Sequence, residues 1–128
     1  MFFRATNFNQ DIGSWNTGSV TAMRAMFRDA SNFNQDIGIW NTSSVKDMRD
    51  MFLDASNFNK DISGWDTGSV TYMPRMFEGA TVFNQDLSGW DVSKVTAPGS
   101  CNNMSNLASS WNDADKPGQT SGHPCNGQ

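Results

Sequence analysis

This chain of 128 residues has little charge, a single histidine, two cysteines and no long apolar run. Charged residues make up 17% of it, well under the usual quarter, and Asn, Ser, Thr, Gln and Gly carry the polar balance instead. Nine Lys and Arg face thirteen Asp and Glu, a formal net charge of −4. Without a basic patch to displace phosphate counterions, nucleic acid is excluded as a partner. No apolar stretch approaches the roughly 18 residues of a membrane-spanning helix. The lone histidine, His123, sits between Gly122 and Pro124. No acid, base or nucleophile is patterned around it, so neither an enzyme nor a cofactor is expected. Cys101 and Cys125 are too few for a zinc site and form no CxxC. The acidic, Lys-poor, Asn- and Thr-rich composition points to an extracellular or cell-surface setting. There the two are expected to form a disulfide worth about 3.5 kcal/mol by loop closure, with two free thiols as the alternative.

What the chain has in abundance is repetition. Phe8, Phe33, Phe58 and Phe83 recur every 25 residues, as do Trp15, Trp40, Trp65 and Trp90, and Val20, Val45, Val70 and Val95. Such a period marks an array of stacked units, none of which can bury its apolar stripe alone. The segment before Phe8 lacks the apolar region and cleavage site of a signal peptide. "MFFRATNFNQDI" at Met1 instead matches "MFRDASNFNQDI" at Met26, so the chain reads as starting in mid-repeat, either as a piece of a longer protein or with its first coil left open.

Met23, Met26, Phe27 and Ala30 lie at i, i+3, i+4 and i+7, which predicts a short helix near residues 24–30. Pro74 falls where the first turn of the equivalent helix tolerates it. The stretch from Phe8 to Val20, with Ile12 and Trp15 among Gly, Ser, Asn and Thr, predicts short strands joined by turns. The expected core ladder is the three columns above with Met26, Met51, Met76, Phe27, Phe52 and Phe77, rising about 4.8 Å per coil. The expected organisation is one repeat solenoid over 1–111, with a partial repeat at 1–7 and units starting near 8, 33, 58 and 83. After Thr96 the pattern decays into a cap at about 97–111, with a helix expected over 102–111 from the spacing of Met104, Leu107, Ala108 and Trp111. Residues 112–128 read as an irregular tail.

The unit "FNKDISGWDTGSVTYMPRMFEGATV", Phe58 to Val82, resembles the 25-residue repeat of BspA-like surface proteins, which mycoplasma lipoproteins also carry. The matching letters are Phe58, Asn59, Asp61, Ile62, Trp65, Asp66, Val70, Thr71, Met73, Met76, Phe77 and Ala80, and the likeness runs from Met1 to about Thr96. This family is similar to divergent leucine-rich repeats. The resemblance implies a right-handed α/β solenoid displayed outside the cell for adhesion or protein contacts, with no catalytic residue to carry over.

Four columns invite chemistry. Asp11, Asp36, Asp61 and Asp86 could line up as a calcium ladder, but like charges about 4.8 Å apart in water repel by only about 0.9 kcal/mol. A metal-free column of turn-forming aspartates is therefore the simpler reading. Asn16, Asn41, Asp66 and Asp91 suit side-chain-closed turns. Thr17, Thr42 and Thr67 suggest an ice-binding row, but Val92 and Lys46 interrupt the two candidate rows. The tryptophans could stack sugars, but their register with Ile and Val favours burial. Asn41 and Asn103 head formal glycosylation triplets.

The functional expectation is a non-enzymatic surface or secreted module for adhesion or protein–protein interaction. Contacts would fall on positions that vary between units: Ala22, Arg24, Lys46, Asp47, Arg49, Lys60 and Tyr72. The alternative is a subunit stacking end to end into an extracellular fibre. The partners expected are therefore further copies of the chain or another surface protein. Met1, Phe2, Ala5, Phe8, Ile12 and Trp15 would form the self-association face, closing as a head-to-head dimer or propagating head to tail.

Overall fold

In the computed structural model, which describes residues 1–119 and 122–126, the runs expected to be helices never complete an α-helical turn. Met26, Arg28 and Ala30 donate their N–H groups three residues back, to Met23, Ala25 and Phe27. Met23, Ala25, Phe27 and Asp29 instead donate sideways, 2.8–2.9 Å, to Asp47, Arg49, Met51 and Leu53 of the next coil. Alternate N–H groups thus close tight turns and bind the neighbouring coil.

The device behind this alternation is a residue in the left-handed region at every fourth position. Ala25 (φ 51°) and Asp29 (57°) are followed in register by Asp50 (55°) and Asp54 (57°), then by Arg75 (54°) and Gly79 (71°). Each interrupts a right-handed helix after one hydrogen bond. The left-handed conformation costs a residue with a Cβ about 1–2 kcal/mol, less for Asp, and the inter-coil ladder offsets that cost. At Gly79 the neighbour decides the residue type as well, since a Cβ there would run into the Asp54 carboxylate. Pro74 fits because its position uses its carbonyl, which accepts from Asp50, while the ladder N–H groups come from Met73 and Arg75 on either side.

The expected α/β, leucine-rich-repeat-like solenoid is therefore incorrect. Among the described residues the helical segment is one 3-10 turn, Asp113–Asp115, and β structure amounts to the isolated parallel bridges Ala22–Asp47 and Asp47–Tyr72. The helices expected over 24–30 and 102–111 are runs of turns, and so are the expected strands. Apolar spacing of i, i+3, i+4, i+7 puts side chains on one side of consecutive turns as well as of a helix, so the pattern did not separate the two.

What stacks is the side chains. The rings of Phe27, Phe52 and Phe77 follow one another at 5.6 and 5.4 Å. Phe33, Phe58 and Phe83 follow at 5.8 and 5.9 Å, and Trp40, Trp65 and Trp90 at 6.4 and 6.2 Å. These exceed the 4.8 Å expected because near-parallel rings slide into offset stacking. Within a coil the two Phe columns pack face to face, as Phe27 on Phe33 at 3.9 Å. The other side of each coil is tied by asparagine, the side chains of Asn9, Asn34 and Asn59 accepting the N–H groups of Asn34, Asn59 and Asn84.

The apparent decay after Thr96 is an insertion. Met73, Arg75, Phe77 and Gly79 donate to Ser100, Asn102, Met104 and Asn106, a step of 27 residues where the earlier coils step by 24. Residues 101–108 form a fourth run with left-handed residues at Asn103 and Leu107. Trp111 takes the place of the next Phe, edge-on to Phe77 and Phe83. The tail then folds back: Cys101 and Cys125 are disulfide-bonded, and the Leu87 N–H donates to Asp115 at 2.7 Å.

Candidate functional site

Three surfaces carry the residues that the sequence singled out. The first is the turn face, where all five arginines lie. The bridged column Ala22, Asp47, Tyr72 runs up it. Asp47 Oδ2 accepts from Arg49 Nε and Nη2 at 2.9 and 2.7 Å, Oδ1 accepts from Nε at 3.1 Å, and the carboxylate lies 3.3 Å from Arg24. Burial pushes the Asp47 carboxyl up, but the Arg49 hydrogen bonds and the charges of Arg49 and Arg24 outweigh it and hold the pKa below the usual value. Arg49 also covers the Tyr72 ring at 4.7 Å, a cation–π contact. Beside this column Asp50, nearly buried, takes a two-point contact from Arg75 at 2.9 and 3.0 Å with Arg28 at 3.7 Å. Lys46 stays exposed next to Asp47, and Lys60, half-buried, stands on a different side of the coil.

The second surface bears the aspartate and Asx columns. Asp11, Asp36, Asp61 and Asp86 each accept the N–H two residues on, at Gly13, Gly38, Ser63 and Ser88. Asn16, Asn41, Asp66 and Asp91 do the same for Gly18, Ser43, Gly68 and Ser93. The serine hydroxyl and N–H bonds hold Asp61, Asp86 and Asp91 below the ordinary carboxylate pKa. Among the described residues no three His, Cys, Asp or Glu converge as a metal-ligand set. Thr17, Thr42 and Thr67 are buried and donate to Asn41, Asp66 and Asp91 in the next coil, so this row faces into the stack and offers no flat surface to ice. Asn41 and Asn103 are exposed.

The third surface is the two ends, which differ. Trp40, Trp65 and Trp90 are 4–5% exposed, and each indole N–H donates to a carbonyl 28 residues back, at Ile12, Ile37 and Ile62. Burial with a satisfied N–H leaves no sugar platform there. Trp15 is 41% exposed. With Met1, Thr17, Val20, Met23 and Met26 it lines a cavity of about 330 Å³. Phe2, Ala5 and Phe8 are half-buried, Phe2 stacking on Phe8 at 3.8 Å. Ile12 is 3% exposed and belongs to the core, so it drops out of the expected self-association face. Of the core ladder, Phe8, Val20 and Met26 are only partly buried, because they too belong to this end.

The opposite end is covered by the tail. Val92 stands where earlier coils have the donating threonine, and its carbonyl faces His123 Nε2 at 3.1 Å. His123 Nδ1 accepts the Cys125 N–H at 3.1 Å, which leaves the ring proton on Nε2. Its setting between Gly122 and Pro124 carries no signal that this histidine braces the tail. Ser88, Trp90, Val92, Lys116, Gly118 and His123 line a second cavity there, of about 320 Å³. No helix among the described residues is long and apolar enough to cross a membrane.

A family model described as "Mycoplasma protein of unknown function, DUF285" matches residues 1–116. No curated protein and no solved structure matches the chain.

Proposed function

The chain belongs to this Mycoplasma family, and from that premise we propose that it is a non-enzymatic module, on the cell surface or secreted, whose turn face binds another protein. One observation carries the reading. The repeated letters are consumed by stacking, while the column Ala22, Asp47, Tyr72 changes at every coil and stays at or near the surface beside Arg24 and Arg49, whose own column turns to a buried Pro74 in the third coil. A fixed scaffold that presents varied charged and aromatic side chains is what a binding face requires, and Tyr and Arg are favoured contact residues. The disulfide supports an oxidising, extracellular compartment, and the resemblance of the repeat to that of BspA-like surface proteins supports adhesion.

Microspheres coated with the chain are expected to adhere to cell or matrix layers above an albumin control. A variant with Arg49→Ala and Tyr72→Ala should lose that adhesion while keeping its melting midpoint. Adhesion no better than albumin sinks the reading, and equal adhesion by the variant moves the function off this face.

End-to-end assembly into an extracellular fibre is the second reading, supported by the way each coil stacks its Phe and Trp on their own copies in the next. The tail on the opposite end weighs against it, and light scattering that grows with concentration would favour it.

A further inference from the structure

The central coils of the turn face carry their charges in two layers. Asp47 and Asp50 lie beneath, their side chains 16% and 8% exposed, and Arg49 and Arg75 close over them at 36% and 47%. Each carboxylate is shared between two arginines, Asp47 by Arg49 and Arg24, Asp50 by Arg75 and Arg28. One guanidinium charge per carboxylate is therefore left uncompensated. Asp29, 3.5 Å from Arg28, is divided in the same way with Arg4. Lys46, exposed beside Asp47, adds a cation that pairs with no acid among the described residues. The other acids of this face, Asp54 and Glu78, come one turn later in their runs.

The two covering arginines are also held in one pose. Arg49 spends its Nε and Nη2 on Asp47 and lays its plane over the Tyr72 ring. Arg75 spends the same pair of nitrogens on Asp50. Neither Nη1 bonds a described residue, so the fork between Nη1 and Nη2 can take a second carboxylate from outside. A side chain already clamped loses little freedom in doing so. The rest of the surface decides the sign of the partner. Asp11, Asp36, Asp61, Asp86, Asp66 and Asp91 stand exposed on the second surface, and the chain as a whole carries −4. An anionic segment is repelled there and steered to the turn face. A cationic one would meet the guanidinium layer before the recessed carboxylates.

We propose that the protein bound by the turn face presents an extended acidic segment, rich in Asp or Glu. Its carboxylates take the open forks of Arg49 and Arg75, Lys46 flanks them, and Tyr72 supplies an apolar contact. This rests on the turn-face reading and deepens it by naming the chemistry of the partner.

The test uses the full chain and a fluorescein-labelled peptide of alternating Glu and Gly, with Gln in place of Glu as the control. Anisotropy should show saturable binding of the Glu peptide that weakens as salt rises, and none of the Gln peptide. Arg49→Gln with Arg75→Gln should weaken binding at least about tenfold. That pair leaves the nearly buried Asp50 without Arg75, so Lys46→Glu, at an exposed position, serves if the pair melts without cooperativity. Lys46→Glu should weaken binding about threefold, the effect of one exposed ion pair. Absence of saturable binding, equal binding of the Gln peptide, or an affinity indifferent to these variants overturns the proposal. Heparin that binds more tightly than the Glu peptide through the same arginines overturns it in favour of a sulfated polysaccharide. A salt-sensitive dimer of the chain alone, lost in the same variants, overturns it in favour of the aspartate columns of a second copy. Failure of the Glu peptide while coated microspheres still adhere through Arg49 and Tyr72 refutes the acidic partner alone. Binding of the peptide without adhesion above albumin supports the acidic recognition and refutes the adhesion reading alone.

Discussion

The indole N–H of Trp65 donates to the carbonyl of Ile37, 28 residues earlier, at 3.0 Å, and both residues are buried. The same bond joins Trp40 to Ile12 and Trp90 to Ile62, so the tryptophan column is a stack of rings and also a set of inter-coil clamps.

Trp65→Phe keeps a ring in the column but strands a buried carbonyl, and should cost about 1–3 kcal/mol. Trp65→Ala and Trp40→Ala should cost about 3–5 kcal/mol as core aromatic truncations. Trp15→Ala, at a half-exposed position, should cost the least of the four. Urea unfolding orders the variants, and a loss at Trp15 equal to that at Trp65 would mean that the N-terminal face is covered in solution.

Left-handed positions give a second prediction. Ala25→Gly relieves a conformation unfavourable to a Cβ and should raise stability by up to about 1 kcal/mol, less what glycine costs in chain entropy. Ala25→Val should lower it by more, since a β-branched residue tolerates positive φ poorly. Gly79→Ala forces its Cβ toward the Asp54 carboxylate at a φ of 71°, a loss of about 1–3 kcal/mol. If Ala25→Gly and Ala25→Val move the denaturation midpoint equally, the run 23–30 is not built of turns.

Acid should destabilise the stack through its aspartate turns. Hydrogen bonds from Ser63, Ser88 and Ser93 hold Asp61, Asp86 and Asp91 below the ordinary carboxylate pKa in the folded chain. A depressed carboxyl contributes stability above its unfolded value, and that contribution fades as pH falls through the folded one. The thermal midpoint should therefore be flat above about pH 5 and fall below about pH 4. Asn in place of all three aspartates should flatten that fall, and an unchanged acid limb would assign it to other carboxylates.

The tail is expected to stabilise the last coil rather than hang from it. Reduction, or Cys125→Ser, should lower stability by about 3.5 kcal/mol by the loop-closure argument. His123→Ala removes a hydrogen bond at each ring nitrogen and should cost about 1–2 kcal/mol. Melting curves under oxidising and reducing conditions check both, and a midpoint indifferent to reduction would show that the tail does not brace the stack.

The amino-acid sequence by itself determined the period, the side chains that meet their own copies in successive coils, and the two cysteines that close the tail. A 25-residue repeat of Phe, Trp, Val and Met has one economical burial, each letter against its own copy, whatever the backbone does between them. The backbone was decided by tertiary structure. Ala25, Asp50 and Arg75 carry no common letter that announces a left-handed conformation, and they adopt it because the neighbouring coil takes the next N–H. Asp29, Asp54 and Gly79, all tolerant of positive φ, were the nearest thing to a legible signal. The three-residue insertion before Cys101 hid the fourth run, because period counting fails once the register slips. The difference between the two ends also lay beyond the sequence, since only the folded chain shows that His123 and Cys125 return to cover Val92 while Trp15 and Val20 stay open.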